Sequence, residues 1–244
     1  MIGVVCAMAW EASPVLKALA GLKSTNVNST RIYSGTAFGK EIVVVASGVG
    51  PEQALHSTEV LRSHAKLDAV IISGVGGGIS PDLTPGCTVI ANHVQRWSSD
   101  SALTADSIEC SKSMVESARK LLKSQKGQFF TGPTISSDEP LIKREEKRSL
   151  FKSTGGQSVD SESYWIAKTV SSVGIPFINV RFILDTASDN LPRWVGSVKK
   201  ADDSGISQAL THPLDWPKLP FLWQKRRAAM RSMDWFFQRY FSTF

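Results

Sequence analysis

Apolar runs of strand length alternate with amphipathic stretches of helical period through the first two-thirds of the chain. Such alternation points to a largely parallel sheet with helices on both faces. Ile2–Met8 is the first run, and Val15, Leu16 and Leu19 follow at helical spacing behind Glu11. Strands are expected at 31–38 and 41–46, around the Gly39-Lys40 turn, and at 68–73, 87–94, 129–136 and 176–184. Helices are expected at 51–64, 107–123, 143–151 and 161–173; Pro51 suits a first helical turn because its missing N–H has no partner there. Gly74-Val-Gly-Gly-Gly78 reads as a loop directly after the 68–73 strand. The expected fold class is α/β, a single domain with a mixed, largely parallel sheet flanked by helices. A chain of 244 residues with 42% hydrophobic content can fill one such core.

The end of the chain reads differently. Residues 186–221 hold Pro192, Pro213, Pro217 and Pro220 with little periodicity, a loop with room for one helix. Leu222–Phe244 is helical by the spacing of Met230, Met233, Phe237, Tyr240 and Phe244. Residues 216–244 carry six basic side chains against Asp234 alone, five of the net six positive charges. The organisation expected is therefore a body at 1–215 and a basic, aromatic C-terminal helix at 216–244. A nearly neutral body argues against nucleic acid as a partner. Met1 leads straight into a strand with no basic leader, and no apolar run has the roughly 20 residues a spanning helix needs, so a cytoplasmic protein is expected. Cys6, Cys87 and Cys110 lack metal-ligand spacing and read as free thiols.

Three acidic residues stand where expected strands end: Glu11 after the first run, Glu162 in Val159-Asp-Ser-Glu-Ser163, and Asp185 at the close of Ile178–Asp185. Open α/β sheets bind ligands at the carboxyl ends of their strands. Three carboxylates meeting there suit acid/base chemistry on a small polar substrate. The glycine run lacks what a dinucleotide site needs. No helix opens within it, Pro81 and Pro85 follow, and no acidic residue ends a next strand to hold a ribose. Its glycines fit a close approach of backbone to ligand instead. No cofactor and no metal are expected.

Five segments in order carry a resemblance: Ile2-Gly-Val-Val-Cys-Ala-Met-Ala-Trp-Glu11, Ser47-Gly-Val-Gly50, Ser73-Gly-Val-Gly-Gly-Gly-Ile79 with Pro85-Gly86, Val159-Asp-Ser-Glu162, and Pro176–Asp185. Together they resemble the methylthioadenosine/S-adenosylhomocysteine nucleosidases, a branch of the purine nucleoside phosphorylase superfamily. The resemblance implies cleavage of the N-glycosidic bond of a 5′-substituted adenosine, with adenine released. It implies Asp185 as the acid at purine N7 and Glu11 as the base that activates water. Glu162, with Ser161, would hold the ribose. Met8, Val49, Val75, Gly76, Gly77, Ser137, Leu141 and Asp160 would line the pocket, and the protein would be a homodimer.

The residue types suit that chemistry. Breaking the bond builds positive charge on the ribose and negative charge on the base. A buried carboxylic acid at the end of an apolar strand can hold a proton for the base, and a second carboxylate can stabilise the cationic sugar. Phosphorolysis would need a cation for phosphate, typically an arginine. Related phosphorylases have one just before the glycine run, where this chain has Ile72, so hydrolysis is favoured. Arg181, inside an apolar strand, reads as the partner of a buried carboxylate.

The chain departs from the nucleosidase pattern at Ser161, at Val75 and at Pro140-Leu141, so the 5′ group stays open. The alternatives are a phosphorylase of an adenosylated hopanoid lipid, or a non-catalytic nucleoside-binding or membrane-associated protein. Two readings of the tail stand side by side: a helix packed on the body or a dimer partner, and an interfacial helix on the inner membrane surface.

Overall fold

The computed structural model describes residues 1–98, 106–124, 128–192 and 219–244. The Pro-rich stretch at 193–218 lies outside the described residues. Ten strands form one mixed sheet: β1 Ile2–Cys6, β2 Ala20–Val27, β3 Thr30–Ala37, β4 Lys40–Ala46, β5 Ala69–Gly78, β6 Thr88–Trp97, β7 Ser107–Glu109, β8 Phe129–Ser137, β9 Ser158–Asp160 and β10 Phe177–Asp185. Among the described residues six α-helices accompany them: α1 Ala9–Lys17, α2 Pro51–His64, α3 Lys112–Lys123, α4 Arg144–Thr154, α5 Ser163–Ser171 and α6 Leu219–Tyr240.

The centre of the sheet is parallel. β1 lies between β4 and β5, with Val4 opposite Val44 and Ile71, and β10 joins the other edge of β5 with Ile178 opposite Ile71. β10 also pairs antiparallel with β6, β6 runs parallel to β8, β8 to β9, and β9 returns antiparallel to β5. The pairings therefore close a ring through β5, β10, β6, β8 and β9. β4, β3 and β2 extend the sheet as an antiparallel meander. Strands buried on both sides explain the unbroken apolar runs Ile42–Val45 and Ala69–Ile72.

Alternation along the strands divides the core. Val4, Ile42, Val44, Ile71, Val180 and Phe182 face one layer, with Ala12, Val15, Met114 and Phe236. Val5, Val43, Val45, Ile72 and Phe177 face the other, with Leu61 and Ile166. α6 belongs to the first layer. Its Phe236, Phe237 and Tyr240 are fully buried, with Phe236 edge-on to Phe182 of β10 and the Tyr240 hydroxyl donating to the Met114 carbonyl at 3.0 Å. Gly86, at φ 90°, passes so close to α6 that a Cβ there would lie 3.2 Å from Ala228.

Three differences from the sequence reading have physical causes. The glycine run is strand rather than loop: β5 stays extended to Gly78 because β10 and β9 pair with it there. The helix expected from 107 begins at Lys112, since Ser107–Glu109 pairs with β6 as an edge strand. β2 is exposed along almost its whole length, so it carries no apolar alternation to read.

Candidate active site

β1, β4, β5, β9 and β10 bring the expected residues together. Glu11 stands in the first turn of α1, 2% exposed. One of its oxygens accepts from the amides of Ala7 (3.0 Å) and Met8 (2.9 Å), and the other from the amide of Val75 (2.9 Å). Burial raises its pKa, against the opposing pull of these amides and of the Arg181 charge. Gly74 is what allows the approach. A Cβ there would come within 2.7 Å of Arg181 Nη1 and 2.9 Å of Glu11 Oε2.

Glu162 is 5% exposed at the N-cap of α5. Its Oε1 accepts from the amide of Gly50 at 2.9 Å, and its Oε2 from that of Ser161 at 3.4 Å. Gly50 takes φ 101°, a conformation that side-chain-bearing residues rarely adopt. Burial, reinforced by the neighbouring Asp160 charge, pushes Glu162 up from 4.5 to about 7.

Arg181, 1% exposed, joins these parts. Its Nε lies 2.8 Å from Asp160 Oδ2, its Nη2 donates to Ser163 Oγ at 2.7 Å, and its Nη1 to the Val75 carbonyl at 3.4 Å. Asp160 was expected to line the pocket. Its Oδ1 instead accepts from Ser136 Oγ (2.7 Å) and from the amides of Glu162 (3.0 Å) and Ser163 (2.9 Å). The carboxylate thus fixes the turn that presents Glu162.

Asp185 ends β10 at 4% exposure, opposite Gly77 of β5. Burial raises its pKa and Lys147 counters it. A Cβ on Gly77 would lie 3.4 Å from Asp185 Oδ2, and one on Gly76 3.2 Å from the Val159 carbonyl, so both glycines keep the neighbouring strands close. Met8 caps α1, Val49 and Val75 are half-buried, and Ser161 and Ser137 are buried at the ends of β9 and β8. Leu141 packs with Ile79, Ile135, Leu150 and Val159.

Sequence reasoning missed three cations here. Lys147 of α4 is fully buried and donates to Asp185 Oδ2 and to the carbonyls of Asp189 (3.1 Å) and Thr186 (3.3 Å). Lys225 of α6 lies 2.6 Å from Asp189 Oδ2. Arg226, next along α6, stacks 4.2 Å from the centre of the Trp10 ring, close enough to feel the Glu11 charge. A signal existed for Lys147: it precedes Leu150 by three residues, on the helix's buried stripe. Among the described residues no group of His, Cys, Asp and Glu is placed to hold a metal ion.

The chain belongs to the phosphorylase superfamily, whose profile matches residues 1–208. Within that class it is similar to the 5′-methylthioadenosine/S-adenosylhomocysteine nucleosidase of Staphylococcus aureus (strain JH9), 25% identical over 199 residues that cover 77% of this chain and 87% of that one. The Neisseria meningitidis 5′-methylthioadenosine/S-adenosylhomocysteine nucleosidase, solved with methylthio-immucillin-A, superposes with a TM-score of 0.77 at 19% identity, covering 100% and 99% of the two chains. Futalosine hydrolase of Helicobacter pylori strain 26695 superposes with a TM-score of 0.69 at 23% identity, covering 77% and 85%. The two superpositions establish the fold. Both it and the recurrence of nucleosidases among the relatives agree with the resemblance read from the five motifs.

Proposed function

We propose that the chain is a nucleosidase that hydrolyses the N-glycosidic bond of a 5′-substituted adenosine and releases adenine. The observation that carries this reading is that Glu11 lies against Gly74 and Asp185 against Gly77, while Glu162 feels the Glu11 charge, all three nearly buried. Glu11 takes a proton from water as the water oxygen bonds to C1′, its raised pKa matching it to that task. The electrons of the C1′–N9 bond pass to the purine, and Asp185 delivers its proton to N7. Glu162 accepts hydrogen bonds from the ribose hydroxyls and stabilises the cationic sugar. Ser161 stands beside it. Met8, Val49, Val75, Gly76, Gly77, Ser137 and Leu141 shape the pocket, and Asp160 holds Arg181 and the Glu162 turn.

Phosphorolysis is the second reading, and one observation favours it. Arg226 brings a guanidinium to Trp10 and Glu11 from a part of the chain remote from the glycine strand. One experiment decides between them: incubate a panel of 5′-substituted adenosines with and without phosphate. We expect adenine and free sugar in both. A sugar 1-phosphate would establish the phosphorylase, and no adenine from any substrate would leave a binding protein.

The same reading makes the protein a cytoplasmic homodimer, with residues 1–215 and 216–244 as its two parts. A peripheral contact with anionic lipid is assigned to the start of α6 only. Phe221 and Trp223 are 57% and 59% exposed, and Arg227 stacks 4.6 Å from Trp223, whereas Phe236, Phe237, Tyr240 and Phe241 are buried in the core and Trp235 and Phe244 partly so. Co-sedimentation with anionic vesicles at low salt, lost in Trp223→Ser, tests the contact. Sedimentation equilibrium tests the dimer.

A further inference from the structure

We propose that Lys147 is a positioning residue for the leaving-group acid: it locks Asp185 Oδ2 inward, turns Oδ1 toward the purine, and stabilises the carboxylate that forms when Asp185 gives up its proton. This role rests on the nucleosidase reading above.

The geometry fixes the charge on Lys147. Its Nζ faces three acceptors, Asp185 Oδ2, the Asp189 carbonyl and the Thr186 carbonyl, and only an ammonium has three N–H groups to give them. The side chain is fully buried, so no water shares this load. An unpartnered buried ammonium would be costly, and among the described residues Asp185 is the one acidic side chain paired with it. The groups that bear on Asp185 come from three elements: Lys147 of α4, Asp189 in the loop after β10, and Lys225 of α6. Lys225 is held by the Asp189 carboxylate at 2.6 Å and reaches Asp185 only through its charge, whereas Lys147 also donates directly to Asp185. While Asp185 holds its proton the four groups carry one net positive charge, and they become neutral when that proton passes to the purine.

The proton balance follows. As the C1′–N9 bond breaks, N7 takes the proton from Asp185, which becomes a carboxylate. The ammonium already in place stabilises that new charge without moving. Lys147 itself neither gains nor loses a proton; after adenine leaves, Glu11 releases to solvent the proton it took from water and Asp185 takes one back from solvent, so the cycle consumes no net proton.

Lys147→Met and Lys147→Arg test the role through the pH profile of kcat/KM. In Lys147→Met, Asp185 loses the group that holds its pKa down, so the alkaline limb should move to higher pH. With the new carboxylate unsupported, kcat should fall about tenfold or more while KM changes little. Lys147→Arg keeps the charge, so the limb should return toward its wild-type position. Its planar fork cannot serve all three acceptors, so kcat should stay below wild type.

A folded Lys147→Met with an unmoved limb overturns the proposal, because a purely structural lysine would lower the melting temperature and leave the profile alone. If Lys147→Met does not fold, Lys147→Arg decides, and a wild-type kcat in that variant overturns the proposal. Failure of the underlying reading looks different: wild-type protein would release no adenine from any substrate of the panel, and both ideas would fall.

Discussion

The amide of Gly50 donates a 2.9 Å hydrogen bond to Glu162, 112 residues further along the chain. This bond ties the turn after β4 to the N-cap of α5, and the Glu162 carboxylate is in place only when the two have met. Glycine is the residue for that turn, because at φ 101° a side chain would strain the backbone.

The same residue gives the protein a measurable pH dependence. Glu162 titrates near 7 in the folded state and near 4.5 once unfolded, so between those values the native state holds a proton that the unfolded state has released. Stability contributed by Glu162 should therefore fall as pH rises through that window, by roughly 3 kcal/mol in all. Glu162→Gln should flatten the fall in urea titrations run at a series of pH values. Nucleoside binding should show the opposite trend in wild type, tightening from pH 6 to 8, because ribose hydroxyls need the carboxylate as acceptor.

Asp185→Asn keeps the shape of the side chain and removes the proton source. Adenine release should slow by about 10²-fold or more, the usual scale for losing a general acid. Calorimetry should still show nucleoside binding. Release at the wild-type rate would remove Asp185 from the reaction.

Glu11→Gln should abolish hydrolysis for a related reason, since an amide cannot take a proton from water. It should also weaken the fold, because the amide nitrogen of a glutamine cannot accept from Ala7, Met8 or Val75. A drop in melting temperature together with loss of turnover is expected. A variant that still hydrolyses the panel at the normal rate would place the base elsewhere.

Gly74→Ala should be as damaging as either, although it changes no functional group. Its methyl would need the space of Arg181 Nη1 and Glu11 Oε2, at 2.7 and 2.9 Å, and both are buried and bonded. We expect a destabilised protein without turnover, read by thermal melts and adenine release.

Phe237→Ala should cost about 3–5 kcal/mol, as for any fully buried aromatic residue cut to a methyl. A chain ending at Pro220 should fail to fold, because it lacks the buried Met233, Phe236, Phe237, Tyr240 and Phe241 of α6 and the turn after it. If that truncated chain melts cooperatively at the wild-type temperature, α6 contributes less than its burial implies.

The sheet's central strands were legible because burial on both faces leaves long apolar runs, as at Ala69–Ile72 and Phe177–Ile183. Glu11 and Asp185 were legible because each follows such a run, and Glu162 through the Val159-Asp-Ser-Glu162 motif. What stayed hidden was whatever depends on a distant partner. β2 is exposed, so its pattern is polar throughout. β9 is three residues held by β5 and β8, too short to have a period. Lys147, Lys225 and Arg226 look in sequence like ordinary solvated charges. Only the packing of α4 and α6 against the end of β10 brings Lys147 and Lys225 to the site, and packing of α6 against α1 brings Arg226 to Trp10.

The place of α6 in the core also sets the order in which the molecule can be made. Every strand that α6 covers, and the helices α1 and α3 beside it, leave the ribosome first. Until residues 219–244 follow, Ile178, Val180 and Phe182 form an uncovered apolar surface beside Ala12, Val15 and Met114. Lys225 and Arg226 arrive with the same segment. A nascent chain halted before it holds all three carboxylates yet has neither a closed core nor a finished site.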